Sequence, residues 1–161
     1  MDRARRQIII GGALLASGIA ATKVHAGSGS VADDFAARLS AHDIESFAAL
    51  FADGYVNHQR SAAAPPPGNL TPKQGTVAFF KARLIGMPDL KVTIEAQVTG
   101  DDKTAASFVY TGTHQGPYFG VAPTGKTLRF TSCDIFRVES GKIVEHWGMG
   151  DIAGVLAQLK G

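Results

Sequence analysis

An aspartate stands among side chains suited to a core. In CDIFRVESGKIVEHW, residues 133–147, strand alternation puts Asp134 on one face with Leu128, Phe130, Ser132, Phe136 and Val138. Arg129, Thr131, Cys133 and Arg137 lie on the other face. An ionised, unpaired carboxylate on an apolar face is costly. Asp134 must therefore be hydrogen-bonded, be protonated, or line a cavity that holds a ligand. In the last two cases it has the chemistry of a general acid or base.

Three histidines join it as candidates. A type I turn at Glu139-Ser140, closed by Gly141 in the left-handed region, makes a three-residue loop with a bulge. That register sets Phe136 opposite Val144 and Asp134 opposite His146. A two-residue turn would instead bring Trp147 there and point Glu145 inward; the position of Gly141 favours the first register. His114 ends a strand whose even positions are Phe108, Tyr110 and Gly112, so it points into the same hollow at its rim. His58 follows the helices at the edge of that hollow. In an acid/base site, His58 or His114 would take a proton α to a carbonyl. Asp134, protonated or sharing a proton with His146, would stabilise or protonate the enolate. Tyr110, Phe130, Phe136, Trp147 and Tyr118 are the candidate binding residues, and they would equally serve a binding module without catalysis. His58, His114, His146 and Asp134 are also ligand types that zinc or iron accepts, but no close-set ligand motif joins them, and no metal is expected.

These residues need a scaffold. Val31, Phe35 and Leu39 fall on one helical face, and Asp43 caps a second short helix carrying Ile44, Phe47, Leu50 and Phe51. GYVNH, residues 54–58, is a short extended piece. SAAAPPPGN, residues 61–69, is a loop whose prolines forbid helix. Thr71, Pro72 and Gln74 open a third helix, which ends near Gly86. The period then drops to two. Val92, Ile94, Ala96 and Val98 mark a half-buried strand, and further strands are expected over 103–114, 126–138 and 142–148. Ile152 to Leu159 closes with a helix capped by Asp151. Helices grouped before an antiparallel meander indicate an α+β fold, with three N-terminal helices on a curved sheet that encloses an apolar pocket.

The N-terminus reads as an export signal, residues 1–26, ahead of a single domain over 27–161. MDRARR is basic, Ile8–Ala21 is an apolar run too short to span a bilayer comfortably, and cleavage is expected after Ala26. Arg5-Arg6 gives it a twin-arginine look, and the mature protein is expected to be periplasmic or secreted, free of the membrane. Those 26 residues hold four of the 16 basic and one of the 14 acidic residues. The domain is nearly neutral without them and has no basic stripe for nucleic acid. Cys133 is the one cysteine, which excludes an internal disulfide; it reads as a small buried hydrophobe. No phosphate-binding loop, dinucleotide glycine pattern, CxxC or nucleophile elbow is present, which argues against nucleotide-dependent and serine-hydrolase chemistry.

GYVNH (54–58), PDL (88–90), GTHQG (112–116), APTGK (122–126), DIFRVESGKIVEHW (134–147) and the closing DIAGVLAQL (151–159) together resemble the SnoaL-like polyketide cyclases, also called ester cyclases. The resemblance implies a nuclear transport factor 2-like cone. It implies ring closure by intramolecular aldol condensation on a small, apolar carbonyl compound, without metal or cofactor. Asp134 matches the family's acid/base carboxylate, and His114 matches the histidine of its GTH motif. A homodimer through the outer face of the sheet is a further expectation from this fold, and Arg129, Thr131, Ile135 and Arg137 form that face.

Overall fold

Four helix starts are set by their caps. Ser30 caps α1 (Val31–Ser40) in a capping box with Asp33, and Thr71 does the same for α3 (Pro72–Gly86) with Gln74. Asp43 caps α2 (Ile44–Ala49), and Asp151 caps α4 (Ile152–Lys160). The computed structural model describes residues 29–59 and 68–161. The expected export signal and most of the proline-rich loop lie outside the described residues. Among the described residues no helix is long and apolar enough to cross a membrane.

Five strands form one sheet: β1 (Phe51–Asn57), β2 (Lys91–Thr99), β3 (Lys103–Thr113), β4 (Thr127–Glu139) and β5 (Lys142–Gly150). Their order is β1-β5-β4-β3-β2. Four are antiparallel neighbours, as the alternating sequence predicts. GYVNH is more than an extended linker: its first four residues belong to β1, which runs parallel to β5 and covers an edge that would otherwise be open, and His58 follows directly. β2 departs from simple alternation at Glu95, where a bulge follows the Ile94–Phe108 pair. Val92 is buried as expected, but Val98 beyond the bulge is 73% exposed.

The core is aromatic. Phe35 of α1 sits 5.1–5.2 Å, centroid to centroid, from Phe47, Phe80, Phe108 and Phe136. It joins all three N-terminal helices to the concave face of β3 and β4. Phe47, Phe51 and Tyr55 extend the cluster toward β1. Phe136 is therefore a core side chain, locked among rings rather than lining an open pocket. Cys133 lies on the opposite, convex face and is exposed; alternation puts it beside Arg129 and Arg137 rather than in the core.

Candidate active site

Asp134 is 4% exposed and His146 2%. His146 Nε2 lies 2.7 Å from Asp134 Oδ1. The route to this contact differs from the expected hairpin. Ser140 and Gly141 both have positive φ, 49° and 74°, which makes a two-residue turn of the mirror-image type suited to twisted strands. Glu139 pairs with Lys142 and Val138 with Ile143. Val144 is then an extra residue before the Arg137–Glu145 pair, a bulge in β5. The shorter turn and the bulge cancel, so His146 faces inward after all. It stands opposite Phe136, however, and Gly148 stands opposite Asp134. The contact is diagonal across the hairpin and passes over Gly148. A Cβ on Gly148 would lie 2.3 Å from Asp134 Oδ1, 2.6 Å from His146 Nε2 and 2.9 Å from Gln59 Oε1.

Hydrogen-bond directions can be followed from a backbone donor. The N–H of Gln59 donates to Asn57 Oδ1 at 2.9 Å, which turns Asn57 Nδ2 toward Thr76 Oγ1 at 3.2 Å. Thr76 accepts there and donates its own proton to the Tyr55 oxygen at 3.4 Å. The Tyr55 hydroxyl then donates to His146 Nδ1 at 3.1 Å. His146 thus carries its proton on Nε2 and donates it to Asp134. From the other side Ser132 Oγ donates to Asp134 Oδ2 at 2.5 Å. Its single proton is used there, so the Tyr110 hydroxyl donates to Ser132, at 3.3 Å. Donors converge on Asp134 from two directions, which is the arrangement of a carboxylate. Burial pushes both the Tyr55 and the Tyr110 hydroxyl pKa upward, and the nearby Asp134 charge adds to each; the Thr76 bond opposes the shift at Tyr55, and the Arg83 charge opposes it at Tyr110. Both phenols keep their protons at neutral pH.

The other expected residues do not converge here. His58 faces the convex side. It is exposed, 2.7 Å from Glu145 Oε2, and stacked on Trp147 at 4.5 Å with rings nearly parallel. Trp147 is consequently not a wall of the interior. The cause is parity: Tyr55 and Asn57 point inward, so His58 points out and Gln59 returns beside the dyad. The His58 bond, reinforced by Arg137, holds the Glu145 carboxyl below its usual range. His114 is fully buried, but it lies eight residues along from Ala106, the partner of Asp134, which is about 26 Å of extended strand. Thr124 N–H donates to its Nδ1 at 3.2 Å, leaving the proton on Nε2, which has no partner among the described residues. Tyr110 and Phe130 stack on each other at 5.0 Å, and Tyr118 is buried with its hydroxyl accepting from Arg83 Nε at 3.1 Å. Among the described residues no three His, Cys, Asp or Glu side chains are grouped to hold a metal ion. Tyr55, Gln59, Thr76 and Arg83 were not singled out as site residues from the sequence. Period-two reading of 55–59 carried the signal for Tyr55 and Gln59. Nothing in the sequence placed Thr76 and Arg83 of α3 against Tyr55 and Tyr110.

The family model described as SnoaL-like polyketide cyclase matches residues 30–159. Among solved structures, IdmH from Streptomyces antibioticus is 30% identical, with 81% of this chain and 96% of that chain covered and a TM-score of 0.68. TsrD from Streptomyces laurentii is 23% identical, covering 80% and 91%, with a TM-score of 0.67. A SnoaL-like polyketide cyclase from Agrobacterium tumefaciens is 18% identical, covering 82% and 99%, with a TM-score of 0.60. The last two likenesses carry the fold alone. None of the curated proteins matches the chain. With the family's pattern running from the first helix cap to the last helix, this chain belongs to the SnoaL-like polyketide cyclase family.

Proposed function

We propose that the protein carries out cofactor-free acid/base chemistry on a small, apolar carbonyl compound, with Asp134 as the group that takes the proton. The observation that carries this reading is the convergence of donors on a buried carboxylate, from His146 on one side and Ser132 on the other. Asp134 accepts the proton α to the carbonyl, and the C–H electron pair moves onto the carbonyl oxygen as an enolate. With its amide turned to bring Nε2 rather than Oε1 toward the dyad, Gln59 would donate to that oxygen. The enolate then adds to a second carbonyl of the same molecule, closing a ring, or regains the proton at another carbon. Membership of a cyclase family favours the first outcome. His58 has no part in this scheme, because it faces the convex side. His114 serves at most as a remote donor to a ligand.

The test is solvent deuterium incorporation α to the carbonyl of a panel of apolar ketones and keto esters, followed by NMR. Asp134→Asn is expected to lower the exchange rate by about 10²–10⁴-fold with the fold intact. Exchange at the wild-type rate in the variant removes Asp134 from the chemistry. A compound that binds tightly and is recovered unlabelled replaces the enzyme with a binding module. For residues 1–26 the reading remains an export signal; mature protein from the periplasmic fraction is then expected to begin at Gly27 by N-terminal sequencing.

A further inference from the structure

Arg83 is a buried cation with no carboxylate beside it. It is 4% exposed, and no acidic side chain lies within ion-pairing distance of it among the described residues. Its guanidinium carbon lies 4.5 Å from the Tyr110 ring centroid and 4.9–5.0 Å from those of Phe79, Phe80 and Phe130. The ring faces attract the cation, and Tyr118 accepts one of its five N–H groups. Among the described Arg, Lys, Asp and Glu residues, only Arg83 and Asp134 are buried. Two opposite buried charges are thus held apart, with Tyr110 and Ser132 between them.

We propose that Arg83 is a positioning residue that keeps Asp134 a carboxylate, acting through the Tyr110 and Ser132 hydroxyls. The inference rests on the reading of Asp134 as proton acceptor. A direct Arg–Asp pair would fill the carboxylate with two guanidinium bonds. The separated arrangement supplies the compensating charge and leaves Oδ1 to His146. The cation over the Tyr110 ring disfavours a hydroxyl proton rotated toward Arg83 and favours one directed at Ser132, which sends the Ser132 proton to Asp134. In a low-dielectric interior that field acts with little screening.

The experiment reads the proton on Asp134 directly, without a substrate. Infrared spectra of protein labelled with carboxyl-¹³C aspartate are recorded at pH 7, with Asp134→Asn as the subtraction reference. The wild type is expected to show a carboxylate signal and no acid C=O band from Asp134. Arg83→Met fills the aromatic cage without charge and is expected to show the acid band. Arg83→Lys retains the charge and is expected to suppress it. A folded Arg83→Met protein without the acid band overturns the proposal, as does an acid band of equal size in the Lys variant. Should neither variant fold, Tyr110→Phe keeps the ring and removes the hydroxyl, and absence of the acid band there overturns it as well. In the deuterium-exchange assay, Arg83→Met is expected to lose at least about tenfold and Arg83→Lys to recover most of it. If no compound exchanges in the wild type, the reading of Asp134 fails while the infrared result still decides on Arg83.

Discussion

Asp134 Oδ1 and Oδ2 each accept a hydrogen bond, and each donor is itself held by a buried tyrosine. The phenols therefore do two jobs: they fix the His146 tautomer and the Ser132 hydroxyl, and they exclude water. Their upward-shifted pKa values have a consequence for stability. Above about pH 10 an unfolded tyrosine loses its proton while Tyr55 and Tyr110 still hold theirs, so the unfolded state binds fewer protons and stability falls as pH rises. The double variant Tyr55→Phe/Tyr110→Phe is expected to lose less stability than the wild type between pH 9 and 11, measured by urea unfolding. At neutral pH the same variant is expected to be the weaker of the two by about 1–3 kcal/mol, because His146 Nδ1 and Ser132 Oγ lose their donors.

At the scale of elements, the β4–β5 hairpin decides what the site contains. Gly148 is the space through which Asp134 and His146 meet. Gly148→Ala is expected to separate them and to cost about 1–3 kcal/mol, with the loss visible as a shifted His146 Nε2–H resonance by NMR. The sequence made the faces of β4 legible because Leu128, Phe130, Phe136 and Val138 share one parity and Arg129, Thr131 and Arg137 the other. It made the helix starts legible because caps are local chemistry. The hairpin register was not legible in the same way: Ser140 with positive φ gives no sign in its residue type, and the bulge at Val144 has no marker residue. His58 was misplaced for a different reason. Its neighbours gave the correct parity, but the parallel pairing of β1 with β5 that applies that parity is a long-range contact. Arg83 sits at a helical position whose partners, Tyr110 and Phe130, come from two distant strands.

For the whole molecule, Phe35 ties the layers together, touching α2, α3, β3 and β4 through ring contacts. Phe35→Ala is expected to cost about 3–5 kcal/mol in urea unfolding, since no single neighbour can fill the space. The same variant is expected to weaken the proposed chemistry, because Phe80 borders the Arg83 cage and Phe136 packs on His146 at 5.1 Å. Phe35 thus links the three N-terminal helices to the rings that border Arg83 and His146.

The bulge at Val144 decides which side of β5 meets the carboxylate. Were Val144 to pair with Arg137 instead of bulging, Glu145 would stand opposite Phe136 and face inward, and His146 would face out. Deleting Val144 outright, by contrast, leaves Ile143 with Val138, Glu145 with Arg137 and His146 with Phe136, so the dyad keeps its place. A loop engineered into this hairpin is therefore free in length, provided that Arg137 still meets Glu145.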